Sequence, residues 1–140
     1  MASSGDERTL VLIKPDAVRR GLVGEIVGRF ERKGLAIEAM QMRQMDADLA
    51  DRHYAEHLDR DFYPPLKQFM IGGPLIAMIV SGDSAIEVVR AMAGATDARK
   101  AAPGTIRGDL ALSNRENLIH GSDSPESAKR EIALWFPELS

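Results

Sequence analysis

The chain is 140 residues long, balances 18 basic against 21 acidic residues for a net charge of −3, and contains no cysteine. A domain of this length buries roughly two thirds of the surface its unfolded chain exposes, so neither a disulfide nor a metal staple is needed to hold it. The acidic balance argues against a nucleic-acid binder held by bulk positive charge; the missing thiols exclude disulfides, thiolate metal sites and a cysteine nucleophile, and fit a reducing compartment.

Met1-Ala2-Ser3-Ser4-Gly5-Asp6-Glu7 lacks the charged and apolar regions of a signal peptide, and no apolar run approaches the ~20 residues of a membrane span. These features predict a cytoplasmic protein with a flexible tail over residues 1–7 and one domain over residues 8–140. Thr9-Leu10-Val11-Leu12-Ile13 reads as a strand buried on both faces and stopped by Lys14-Pro15-Asp16, which puts Lys14 at a strand end. Leu22, Val23, Ile26, Val27 and Phe30 fall at helical spacing up to Lys33, and Gly34 terminates that helix. Leu35 to Met42 alternates as a second strand.

Asp46 is an N-cap for a helix expected to run to about His57, and Pro64-Pro65 opens a short helix ended by Gly72-Gly73-Pro74. Leu75 to Val80 is a strand, after which Asp83-Ser84 is expected to cap a helix with Ile86, Val88, Val89 and Met92 on its apolar side, closed by Gly94. Ala95 to Leu110 is a long segment rich in small and charged residues, and long loops in compact domains are often functional. Ser124 as N-cap with Pro125 at the first position marks a last helix through about Leu134, with Trp135, Phe136 and Leu139 packing the tail onto the body. Interleaved strands and helices indicate an α/β or α+β sandwich; periodicity alone does not choose between a parallel sheet and a split βαβ antiparallel one.

Chemistry concentrates around Asn117-Leu118-Ile119-His120-Gly121-Ser122-Asp123-Ser124, where a histidine sits between an apolar run and a helix-start signal too polar for a core. A free-base imidazole is a nucleophile or proton carrier near neutral pH. No G-x-x-x-x-G-K-[ST] or G-x-G-x-x-G stretch is present, so a phosphate site would be built from side chains: Lys14, Arg90 and Arg107, with Thr96 and Asn117 as neutral donors. Phe62 and Tyr63 read as core residues or as a stacking platform, with core favoured. His53-Tyr54-Ala55-Glu56-His57 matches H-x-x-E-H, a zinc-peptidase pattern that needs both histidines on one helical face.

Several segments together resemble the nucleoside diphosphate kinase family from about Arg8 to Phe136. They are Leu12-Ile13-Lys14-Pro15-Asp16, the stretch Ala102-Pro103-Gly104-Thr105-Ile106-Arg107-Gly108-Asp109, the His120 segment, and Glu131-Ile132-Ala133-Leu134-Trp135-Phe136. The resemblance implies an α+β fold with a ferredoxin-like βαββαβ core, an antiparallel sheet and extra helices. It also implies a ping-pong reaction, in which His120 takes the γ-phosphate of a nucleoside triphosphate and passes it to a nucleoside diphosphate with Mg²⁺ riding on the substrate phosphates. By position Lys14, Arg90, Thr96, Arg107 and Asn117 would contact phosphates and ribose, and Phe62 would stack on the base, reversing its core assignment. Tyr54 and Glu131 would line and support the site, Glu131 by fixing the histidine ring, and Arg60 would extend toward the phosphates. The resemblance further implies a tetramer or hexamer of identical chains and requires no nucleic acid and no membrane.

Three departures from the family pattern stand out. Asp61 precedes Phe62 where proline is common, Ala98 replaces a frequent proline, and Asn114-Arg115-Glu116 lacks the usual glycine two residues before Asn117. They bear on the stiffness of the binding cleft and of subunit contacts. Two competing readings are a zinc peptidase built on His53, Glu56 and His57, and a non-catalytic nucleotide-binding module, since a fold does not fix a function.

Overall fold

The architecture is that of a computed structural model in which residues 6–140 are described. Four antiparallel strands form one sheet in the order β2-β3-β1-β4: β1 Asp6–Ile13, β2 Ala36–Gln44, β3 Pro74–Asp83 and β4 Ile119–Gly121. Helices α1 Pro15–Arg19 and α2 Val23–Lys33 connect β1 to β2, and α3 Ala47–His53 and α4 Tyr63–Ile71 lie between β2 and β3. Helices α5 Ala85–Ala93 and α6 Ile106–Leu110 precede β4, and α7 Pro125–Trp135 follows it. With α2 and α5 as crossovers, this is the antiparallel βαββαβ arrangement, and the extra helices are α1, α3, α4, α6 and α7.

Period-two alternation splits the core between the two faces of the sheet. Val11 and Ile13 of β1, with Ile76, Met78 and Val80 of β3, pack with Ile26, Phe30, Ala85 and Val89. Leu10 and Leu12, with Leu75, Ala77 and Ile79, pack with Leu49, Met70, Ile132 and Trp135 on the other side. Helices on both faces are why β1 reads as an unbroken apolar run: neither of its sides meets water.

The structure departs from the sequence expectations at several places, and the segment Ala95 to Leu110, read as a long loop, carries α6. The tail expected over residues 1–7 loses Asp6 and Glu7 to β1, where they pair with Asp83 and Gly82; residues 1–5 lie outside the described residues. Ser84 does not cap α5, because it sits in the left-handed region at φ 54; the Ile86 N–H is instead accepted at 2.9 Å by the Glu7 carboxylate, from the strand next to β3. Helix α3 stops at His53, four residues early, because Arg130 of α7 donates to the Arg52 and His53 carbonyls and so satisfies its C-terminal end, after which Ala55–His57 forms a 3₁₀ turn. At the chain end Trp135 and Phe136 are buried as expected, but Leu139 is exposed.

Candidate active site

His120 lies at the centre of β4, opposite Leu12 of β1, so the sheet fixes its backbone. Just upstream the chain makes a tight turn: the Ile119 N–H donates to the Asn117 carbonyl, and Leu118 is held at φ 76, a region costly for a branched side chain. What holds the strained residue is Asp16 in the turn after β1. Its Oδ2 accepts the Leu118 N–H at 3.1 Å, while the Lys14 N–H donates to the Leu118 carbonyl at 2.9 Å. The Lys14-Pro15-Asp16 segment therefore builds the site with its backbone and with two side chains.

The His120 ring is fixed from α7. Its Nε2 lies 2.8 Å from Glu131 Oε1, and Ser122 Oγ donates to the same oxygen at 2.8 Å. Burial pushes the Glu131 carboxyl up, but the hydrogen bonds and charge of His120, with the Ser122 hydroxyl, hold it below the ordinary carboxylate range. An ionised Glu131 can only accept, so Nε2 is the donor of this bond, and in the neutral ring the lone pair lies on Nδ1. Ser124 Oγ accepts the Ser127 N–H at 3.0 Å and so caps α7, setting the helix from which Glu131 reaches in.

Cations converge on the same chamber. Lys14 Nζ donates to Asn117 Oδ1 at 2.8 Å, and Asn117 Nδ2 donates to the Thr96 and Asn114 carbonyls. Arg107 gives one N–H from each of its three nitrogens to a main-chain oxygen, Nε to Asn117, Nη1 to Gly94 at 2.8 Å and Nη2 to Ile119, which leaves two of its five donors for a ligand. The residues around Arg107 fold to aim it, with Thr105 Oγ1 accepting the Gly108 N–H and Asp109 accepting the Gly104 N–H. A side chain at Gly108 would run into the Ala102 carbonyl, which is why that position has none. Arg90 on α5 donates to the Gly121 carbonyl at 3.3 Å. Burial and the Arg107 charge push the Lys14 ammonium down to about 8, and burial and the Arg90 charge push Arg107 down to about 10. Cations that depress one another in this way make a site waiting for an anion.

Two neighbouring cavities with shared wall residues result. An inner chamber of about 290 Å³ is lined by Lys14, Tyr54, Arg90, Arg107, His120 and Glu131 among others, and an outer cleft of about 720 Å³ runs past Phe62, Leu112 and Asn114. Lys14, Leu66, Thr96 and Asn117 line both. Every residue the sequence reading nominated around His120 is thus on one wall or the other; Arg60 lines neither.

The zinc pattern is not formed. Helix α3 ends at His53, so His53 and His57 do not share a helical face, and His53 Nδ1 accepts the Trp135 indole N–H at 3.0 Å. Three contributors escaped the sequence reading. Asp16 and Ser122 stood inside quoted segments without a role, and Leu112, 85% exposed, was signalled only as a large apolar residue in a polar stretch.

Comparison with known proteins identifies the lineage of this arrangement. The sequence model of the family described as Nucleoside diphosphate kinase matches residues 7–140. The chain belongs to the nucleoside diphosphate kinase family. A nucleoside diphosphate kinase of Nocardioides sp. is 67% identical over 132 residues, covering 94% of this chain and 98% of that protein. One from Rhodococcus opacus is 62% identical over 135 residues, covering 96% and 97%. Among solved structures, the halophilic nucleoside diphosphate kinase of Halobacterium salinarum in complex with CDP superposes with a TM-score of 0.92 at 50% identity, covering 94% of this chain and 88% of that one. The apo enzyme of Encephalitozoon cuniculi gives 0.91 at 38% identity, covering 93% and 88%. Family membership makes the chain a kinase that moves phosphate between nucleotides, and among its described residues no helix is long and apolar enough to cross a membrane.

Proposed function

We propose that His120 carries the phosphate between two nucleotides in a ping-pong cycle. The observation that supports this most is the ring's asymmetry: Nε2 is tied to an ionised carboxylate while Nδ1 remains free on the wall of a chamber rimmed by Lys14, Arg90 and Arg107. The Nδ1 lone pair attacks the γ-phosphorus of a nucleoside triphosphate, the bond to the bridging oxygen breaks, and the diphosphate leaves. A second diphosphate then attacks the phosphorus with its terminal oxygen, and the P–N bond breaks to return the ring. Glu131 stabilises the positive charge the imidazole gains while phosphorylated, and the cations bear the charge spread over the equatorial oxygens.

The two cavities divide the substrate. Phosphates enter the inner chamber, where Lys14, Arg90 and Arg107 supply charge and Thr96 and Asn117 supply neutral donors to the phosphates and ribose, with Tyr54 lining the wall. The base lies in the outer cleft against Phe62, which is 50% exposed, with Leu112 on the same cleft wall. Stacking accepts any base because each offers a π-face. The Halobacterium relative was solved in complex with CDP, which supports a nucleotide as the ligand. Mg²⁺ fits as a passenger on the substrate: Glu131 Oε1 is taken by His120 and Ser122, Oε2 faces Arg130 at 3.7 Å, and Lys14, Arg90, Arg107 and Arg130 outnumber Glu56 and Asp123 on the rest of the wall, so phosphate oxygens and water would be its main ligands. When bound it supplies charge neutralisation to the transferring phosphates, and chelation of divalent ions is expected to stop turnover.

We place the domain at residues 8–140 with Asp6 and Glu7 continuing its first strand, and the enzyme in the cytoplasm, balancing nucleoside triphosphate pools. A tetramer or hexamer is supported by β2, an edge strand whose Met40 and Met42 are 51% and 62% exposed; light scattering tests it. The cycle is tested by mixing the protein with γ-labelled ATP. One labelled phosphate per chain, discharged by GDP and absent in His120→Ala, is expected; saturable nucleotide binding with no phosphoprotein would leave the non-catalytic module as the better reading.

A further inference from the structure

His53 is a buried titratable group that the cycle above does not use. It ends α3 and is 3% exposed, with its ring centroid 4.8 Å from that of His120 at 75° between planes. Two imidazoles in edge-to-face contact pose a chemical problem: both are nucleophiles and both titrate, yet only one serves as acceptor.

We propose that His53 is a positioning residue for His120, locked by Trp135 as a neutral ring with its proton on Nε2 so that it backs the His120 imidazole without competing for phosphate or for Glu131. This rests on the reading of His120 as the phosphate carrier. Trp135 Nε1 is 3.0 Å from His53 Nδ1, and an indole nitrogen only donates. The single lone pair of His53 is therefore occupied, and Nε2 must hold the proton. That removes His53 as a nucleophile.

The same geometry excludes a metal. His53, His120 and Glu131 are the one group among the described residues whose ligand atoms lie close enough for an ion, all within 4.8 Å of one another. A cation needs a lone pair from each, and His53 has none to give while Trp135 is bound. The trio is instead a frame organised by α7. Glu131 and Trp135 stand one helical turn apart and hold His120 and His53 respectively, and Arg130 pins the His53 carbonyl at 3.3 Å. Burial, then the charges of His120, Arg130 and Lys14, push the His53 imidazole down to about 3 against the opposite pull of Glu131, so it stays neutral through the working range. The Tyr54 ring, 4.7 Å away at 89°, closes its remaining side.

Rapid-quench measurement of phosphoprotein formation on Trp135→Phe, His53→Phe and the double variant tests this. The expected result is full labelling of His120 in each, at a rate reduced tenfold or more, with the nucleotide KM changed less than threefold. In Trp135→Phe the acid limb of the labelling rate moves to higher pH, because an Nδ1 freed of its donor accepts a proton more readily; in the double variant it does not, and that variant is no slower than His53→Phe. Labelling within twofold of the parent rate with an unchanged pH profile in Trp135→Phe overturns the proposal, and this variant decides the matter even where His53→Phe does not fold. An unsubstituted protein that forms no phosphoprotein overturns the His120 reading, and the proposal with it; a labelled parent with unslowed variants overturns the proposal alone.

Discussion

In the inner chamber Lys14, Arg107 and Glu131 each already have protein partners, whereas in the outer cleft two of the three large apolar side chains, Phe62 and Leu112, face solvent. The chamber is wired in advance by main-chain carbonyls from Gly94, Asn117 and Ile119, so charge meets a transferring phosphate without waiting for side chains to organise. The cleft adds exposed apolar surface to its polar wall residues. The contrast teaches how a single site can be strict about phosphate chemistry and tolerant about the base: strictness is spent where all substrates are alike.

Substitutions should therefore separate into rate effects and affinity effects. The largest is expected at Arg107: Arg107→Ala removes a transition-state cation and the side-chain donor to three carbonyls, of which Asn117's keeps the Ile119 N–H, lowering kcat/KM by about 10²–10³-fold and stability by roughly 2–3 kcal/mol in denaturant unfolding. Glu131→Gln keeps the shape but not the charge, and a fall in kcat of about 10–100-fold with little change in KM is expected. Because the Glu131 pKa is depressed in the folded state, its stabilising contribution is present above the ordinary carboxylate range and is lost as pH falls through its lowered value. A pH-dependent melt of Glu131→Gln against the parent reads that difference directly.

Lys14 gives a prediction of two opposite signs. With its folded pKa at about 8 against the ordinary 10.5, the empty protein loses this charge above pH 8, and kcat/KM falls by up to about tenfold per pH unit there. Stability moves the other way, rising between about 8 and 10.5 because the unfolded chain still binds the proton the folded one has released. In the cleft, Phe62→Ala is expected to raise KM about 5–10-fold for purine and pyrimidine nucleotides alike, with kcat unchanged. A loss confined to one base, or a loss in kcat, would erase the division between the two cavities. Leu112→Ala should be smallest, at about two- to threefold in KM.

Local physics carried much of this fold to the surface of the sequence. The unbroken apolar run of β1, the Gly34 stop of α2 and the Ser124-Pro125 start of α7 are all read from near neighbours, and they stand where expected. Features set by distant partners were not legible. Glu7 caps α5 from 79 residues away, and Arg130 ends α3 from the far end of the chain, which is why the helix predicted through His57 stops at His53. The antiparallel sheet likewise came from family resemblance, since alternation is the same in either strand direction. Of the site, the charged residues were visible as types, but nothing in their spacing revealed that Arg107 would be anchored by three carbonyls, that Asp16 would hold Leu118, or that His53 would face Trp135.

The central claim is that Nδ1 of His120 bears the phosphate, and one spectrum addresses it. Protein labelled with ¹⁵N in histidine and charged with ATP should show, by ³¹P–¹⁵N coupling, a single phosphorus bonded to Nδ1 of His120, and the signal should vanish on adding a nucleoside diphosphate. Phosphate on Nε2, on another residue, or on none while transfer proceeds at full rate would contradict the account.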